Sequence, residues 1–192
     1  MIIGITGGTG CGKTTLLTQI RERGGLVLDC DAIYHDLLTR DDALLNTIEA
    51  RFPGVVEGGV LQRKKLGVIV FGDAVALADL NAITHGAIKA EVVKRLAAGP
   101  ELAAIDAIAL FESGLADLCD TTIAVTAPEN VRILRLMARD GISAEYAQNR
   151  IRAQHPESWF AEKCDTLLRN DGTKEEFEAK CRQYLDGLTR LW

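Results

Sequence analysis

Gly7-Gly8-Thr9-Gly10-Cys11-Gly12-Lys13-Thr14 satisfies the pattern G-x-x-x-x-G-K-[ST] at every position. Glycines let a loop turn its backbone N–H groups inward, where side chains would otherwise obstruct them, and converging amides bind phosphate. Lys13 offers a point charge to β- and γ-phosphates, and the Thr14 hydroxyl is the expected ligand for Mg²⁺. The predicted ATP-contacting set is Gly8, Thr9, Gly10, Cys11, Gly12, Lys13, Thr14 and Thr15. An accidental glycine-rich turn of this form is expected in roughly 1% of chains this long or fewer. Nucleotide binding is therefore the first expectation.

Two carboxylates come next. Asp29 and Asp31 close a predicted strand, and in an open α/β sheet the carboxyl end of a strand faces the ligand crevice. A carboxylate there orients an acceptor hydroxyl and takes its proton late in phosphoryl transfer, which is largely positioning and charge stabilisation. The alternative for either residue is a cap on the helix beginning near Ala32. Spacing alone does not say which residue does which. Further on, Arg132, Arg135 and Arg139 share one helix face, followed by Arg150 and Arg152. Arginine presents forked donors to phosphate oxygens, as a closing lid requires, and Arg139 beside the Asp140-Gly141 break is the prime candidate. For most of the five, a solvated helix face is the simpler role.

The elements that must position these groups are short apolar strands alternating with helices. A strand over 1–6 leads into the glycine loop, and a helix over 13–23 leaves it with Leu16, Leu17 and Ile20 on its apolar face. Gly24-Gly25 stops that helix, and a second strand covers 26–28. Periodicity makes 33–96 mostly helical, interrupted at Pro53-Gly54 and Gly58-Gly59. Strands follow over 103–110 and 121–126. Pro128 opens a helix reaching Arg139, and Ser143 caps another that ends near Gln154. A strand over 166–168 precedes a last helix, where Thr173 and Glu176 have capping-box spacing; Asn170 between them reads as a turn residue. The fold class is α/β, a three-layer sandwich of the P-loop NTPase type with a five-stranded parallel sheet and two helical insertions.

Composition narrows the function classes. At 192 residues the chain is long enough to bury a core without disulfides or structural metal. A formal charge of −5 argues against a broad nucleic-acid-binding face, although a local cradle can still hold an anion because surface fields fade over about 8 Å. The five cysteines are scattered without C-x-x-C spacing and no signal peptide precedes the first strand, which fits reduced thiols in the cytoplasm. No apolar run spans a bilayer, and no protein partner is implied. A P-loop alone does not separate kinases from switches or motors. The chain has no N-K-x-D element for guanine and is short for a motor or transporter ATPase, so a small-molecule kinase is favoured over a nucleotide-dependent switch.

Several segments together carry a resemblance. They are 5–14 (ITGGTGCGKT), 27–35 (VLDCDAIYH), 80–85 (LNAITH), 110–115 (LFESGL), 135–141 (RLMARDG) and 154–156 (QHP). In this order they closely resemble the bacterial dephospho-CoA kinases, over about 2–188. That resemblance implies ATP and Mg²⁺ as cofactors and dephospho-CoA as the small-molecule substrate. It implies a nucleotide-binding core (1–32, 100–127 and 161–192), a helical CoA-binding domain (33–99) and a mobile lid (128–160). It assigns Asp31 as catalytic base, with Asp29 beside it at the acceptor, and Arg139 as the lid arginine on phosphate. His35, His85, Leu110, Phe111 and Glu112 would line the dephospho-CoA site. The chain departs from the family pattern at Gly86 and Ile108, where proline is usual, which removes a rigid bend near the substrate.

Overall fold

The computed structural model describes residues 1–189. Five parallel strands form its central sheet in the order β2-β5-β1-β6-β7. They are β1 (Ile2–Thr6), β2 (Leu26–Asp29), β5 (Ala103–Asp106), β6 (Thr121–Thr126) and β7 (Thr166–Arg169). The helices are α1 (Lys13–Glu22), α2 (Cys30–Arg40), α3 (Asp42–Arg51), α4 (Arg63–Val70), α5 (Ala74–Leu96), α6 (Glu129–Asp140), α7 (Ala144–Arg152), α8 (Glu157–Lys163) and α9 (Lys174–Thr189). Val56–Glu57 (β3) and Val60–Leu61 (β4) make a small antiparallel hairpin in the middle of the helical block.

Alternation along each strand sorts side chains to the two faces. Ile3, Ile5, Ala104, Ile123 and Val125 meet α1 and α9 through Leu16, Leu17, Ile20, Phe177, Cys181 and Leu185. Leu28 and Ile105 face the other way and join Ile33, Leu37, Ile48, Phe52, Leu66 and Val92, so the helical block shares one continuous core with that sheet face. Burying a side chain of this kind stabilises by about 1.5–3 kcal/mol, which fixes the sheet and the helical block to each other. Leu136, Ala147 and Ile151 form a small separate core between α6 and α7.

Parallel pairing brings every strand's carboxyl end to one edge. Asp29 is in register with Asp106, Ile5 with Asp106, and Thr126 with Arg169. The glycine loop, α2, α6 and Asn170 all emerge there.

Local signals read from the sequence are present as hydrogen bonds. Ser143 Oγ accepts from Tyr146 N at 3.2 Å, Thr173 Oγ1 accepts from Glu176 N at 3.2 Å, and Glu176 Oε2 accepts from Thr173 N at 2.8 Å. The strand expected over 103–110 stops at Asp106, because 107–110 turn away; Thr6 Oγ1 donates to Ile108 O at 3.2 Å in that turn. Gly86 lies inside α5, which runs through it for 23 residues, so His85 is mid-helix and not at a helix start. The hairpin β3–β4 and helix α8 were not expected. The lid boundary drawn at residue 160 falls inside α8, whose Phe160 is buried.

Candidate functional site

A cleft of about 710 Å³ opens at the carboxyl edge of the sheet. Gly8 to Thr14, Asp31, Asp106, Arg135, Arg139 and Arg150 all border it. The glycine loop adopts backbone that only glycine takes easily: φ is 135° at Gly7, 77° at Gly10 and 94° at Gly12. Any side chain at Gly12 would also collide with Asn170. The loop ends on the first turn of α1, adding the positive end of that helix to its amides. Lys13 Nζ donates to Gly7 O at 3.1 Å, within the loop it serves. Thr15 is the exception among the predicted loop contacts: its side chain borders a neighbouring recess beside Lys174 and Arg182 and not the main cleft.

The structure separates the two carboxylates that spacing could not. Asp29 Oδ1 accepts the Ala32 N–H at 2.9 Å and caps α2. Asp31 sits in the first turn of the same helix, exposed, and borders the cleft. Asp29 was expected beside it at the acceptor; it does not border the cleft, and its cap engages one of its two carboxylate oxygens.

Asp106 is a site residue that the sequence reading did not single out. It ends β5 between β1 and β2, and its carboxyl is pushed up to about 6, chiefly by burial. Lys13 opposes that rise, while Asp29 and Asp31 add to it, so all four groups share one electrostatic neighbourhood. Its place beside Lys13 and Asp31 follows from the pairing of β5 between β1 and β2. A raised folded pKa means the folded state retains the proton longer than the unfolded chain, so this group's contribution to stability is present below about pH 4 and is lost as pH rises through about 6. Asp106→Asn is therefore expected to raise the melting temperature at pH 8 by several degrees, relative to wild type, while removing most activity. Melts at pH 5 and pH 8 check this; an equal or lower melting temperature at pH 8 contradicts the buried charge.

Arg139 reaches the cleft but is engaged elsewhere. Its Nε and Nη2 donate to Asp140 at 2.6 and 3.0 Å, and Arg150 shares that carboxylate at 2.8 Å. The paired arginines hold the Asp140 carboxyl down at about 2. Asn170 is not a simple turn residue: it is 4% exposed, its Nδ2 donates to Cys11 O at 2.9 Å, and its Oδ1 accepts from Arg135 at 3.1 Å.

The expected acceptor residues divide. Leu110 is fully buried against β1, where Gly4 leaves room for it beside Cys119, so its side chain does not line the cleft. Glu112 Oε1 pairs with His155 Nε2 at 2.9 Å, at a second recess of about 320 Å³ that shares Gly8 and Ile108 with the main cleft. Phe111 meets Trp159 edge-on at 5.6 Å between centroids, and Trp159 in turn stacks on His155 at 3.9 Å. Burial lowers the His85 pKa and Glu112 opposes the shift, the balance favouring the neutral imidazole. His35 Nδ1 pairs with Arg63 Nη2 at 2.8 Å on the helical block.

Among the described residues, no cluster of three His, Cys, Asp or Glu side chains could hold a metal by itself. Thr14 and Asp106 both border the cleft, and one hydroxyl with one carboxylate suits a hard cation completed by substrate phosphates, as Mg²⁺ usually is. No helix of the described residues is long and apolar enough to cross a membrane, and all five cysteines are free.

Comparison with known proteins finds a match to the dephospho-CoA kinase family model over residues 1–176. The chain is 37% identical over 196 residues to a dephospho-CoA kinase of Moorella thermoacetica, covering 98% of this chain and 92% of that one. It is similar to the crystal structure of TT1252 from Thermus thermophilus, with a TM-score of 0.81, 34% identity and coverage of 98% and 97%. A dephospho-CoA kinase structure from Campylobacter jejuni shares the fold at TM-score 0.70 and 24% identity, with coverage of 98% and 97%.

Proposed function

This chain belongs to the dephospho-CoA kinase family, and from that premise we propose which of its residues carry the reaction. It transfers the γ-phosphoryl group of ATP to the ribose 3′-hydroxyl of dephospho-CoA, the last step of coenzyme A biosynthesis. The observation that carries the residue assignment is the single cleft bordered by the glycine loop, Asp31, Asp106 and Arg139.

In this reading the loop amides and Lys13 bind the β- and γ-phosphates and stabilise charge as the phosphoryl group leaves. The Thr14 hydroxyl and the Asp106 carboxylate would hold Mg²⁺, which when bound would supply neutralisation of the phosphate charge. Asp31 orients the 3′-hydroxyl and takes its proton. Arg139 exchanges Asp140 for the γ-phosphate as the lid closes, and closure excludes the water that would otherwise hydrolyse ATP. We assign 33–99 to the acceptor, with His35, His85, Phe111 and Glu112 as its contacts; neutral His85 offers a hydrogen bond and not a charge. Leu110 supports Phe111 from within the core. The lid comprises α6 and α7. Thiols without disulfides support a cytoplasmic location.

Release of ADP, measured with and without dephospho-CoA, tests the reading. Acceptor-dependent release is expected with dephospho-CoA and not with nucleosides, nucleotides or sugars. Tight nucleotide binding without acceptor-dependent turnover would point instead to a switch.

A further inference from the structure

The glycine loop is held from outside by the roots of the lid. Arg132, one turn into α6, donates from Nε to Thr9 O at 2.9 Å and from Nη2 to Gln154 Oε1 at 2.7 Å. Gln154, two residues beyond α7, uses the same Oε1 to accept the Thr9 N–H at 2.9 Å. Both backbone groups of Thr9 are thereby closed into one ring with two lid side chains. Arg135 Nη1 continues the pattern at Gly10 O and Cys11 O, at 3.3 and 3.4 Å, and Asn170 joins it at Cys11 O.

The geometry of a trans peptide gives these contacts a consequence. The carbonyl of one residue and the N–H of the next point in opposite directions. Carbonyls of Thr9, Gly10 and Cys11 engaged by arginine and asparagine turn the following amides away from those side chains. The Cys11 N–H bonds Gly8 O at 3.3 Å, which leaves those of Gly10 and Gly12 for the cleft. Gly8 bears on the same point. Its φ is not in the left-handed region, so its need for glycine is one of space. A Cβ there would lie 3.0 Å from Gln154 Oε1 and 2.8 Å from Arg132 Cζ.

We propose that Arg132 and Gln154 are positioning residues that preorganise the anion cradle, acting through Thr9 and not by contact with the γ-phosphate. This rests on the loop being the nucleotide cradle. Residues of this kind serve ADP and ATP equally, since the cradle they shape holds the β-phosphate of both. A direct γ-phosphate ligand serves ATP alone.

Calorimetric titration of the full chain with ADP and with ATP, each with Mg²⁺, separates the two. Arg132→Ala and Gln154→Ala are each expected to weaken both nucleotides by the same factor, about tenfold, the scale of a hydrogen bond involving a charged group. Because they share one ring, the double variant should lose little more than either single, and KM for ATP should rise with kcat nearly unchanged. Gly8→Ala should reproduce the loss in the wild-type background and add nothing to Arg132→Ala. Loss of ATP affinity with ADP spared, additive losses, or unchanged affinity for both nucleotides overturns the proposal. Melting curves establish folding; should Arg132→Ala not fold, Gln154→Ala with Gly8→Ala decides the matter alone. Lys13→Ala serves as the reference: if it too leaves ADP affinity unchanged, the cradle reading fails, whereas a loss confined to Lys13→Ala overturns only the clasp.

Discussion

Asparagine in place of Asp31 lowers kcat by about a hundredfold or more while ATP affinity stays within about twofold, the pattern of a lost proton acceptor. The expectation follows from where the two carboxylates lie. Asp29 caps α2 through the Ala32 amide, and Asp31, two residues later, borders the cleft. Asparagine keeps the size and most of the hydrogen bonding of the side chain, so substrate placement survives and proton removal does not. Steady-state kinetics with saturating dephospho-CoA measures kcat, and titration measures ATP binding. Turnover at the wild-type level in Asp31→Asn removes Asp31 from the role. Asp29→Asn serves as the comparison: asparagine caps a helix about as well as aspartate, so this variant should keep nearly full activity. Equal losses at both positions would mean that the pair acts as one unit, contrary to the separation seen here.

Lys13→Ala carries the second large effect. Removing one preorganised charge from a transferring group typically costs about 10²–10³ in rate. Lys13 lies in the loop itself, with Nζ near Gly7 O and its charge felt at Asp106. Alanine should therefore weaken nucleotide binding and lower kcat together, unlike Asp31→Asn. Arginine at this position should not restore function, because a planar fork does not replace a compact point charge within a tight loop. An active Lys13→Ala enzyme contradicts the cradle assignment. The same substitution removes the charge that opposes protonation of Asp106, so the Asp106 pKa should rise further.

Read together, the two variants test different ends of one reaction, donor and acceptor. Their spatial relation comes from the sheet. β1 delivers the glycine loop, β2 delivers α2 with Asp31, and β5 lies between them with Asp106 at its tip. A strand order that separated β1 from β2 by more than one strand would move the acceptor base beyond reach of the phosphates.

The parts of this site that were legible are those whose chemistry lies in a contiguous run. The loop of residues 7–14, the strand alternation behind it, the Ser143 cap and the Thr173–Glu176 capping box each depend on residues within one or two turns of each other. Each is present in the structure. The hairpin β3–β4 escaped because two-residue strands are too short to show a period. Asp106 was hidden by an apolar run that reads as strand through residue 110, where the chain in fact turns at 107. Leu110 and Phe111 are neighbours in sequence, yet one is sealed in the core and the other half-exposed against Trp159.

The sequence alone determined a phosphate-binding loop and a carboxylate near the tip of the next strand, since amide curvature, helix dipole and strand polarity are local properties. Tertiary structure alone decided which aspartate caps and which faces the cleft, that Asp106 joins them, and that Arg132, Gln154 and Asn170 brace the loop across separations of 123, 145 and 159 residues. Contacts at that range depend on strand order and on how the lid is rooted. No periodicity within a segment encodes either.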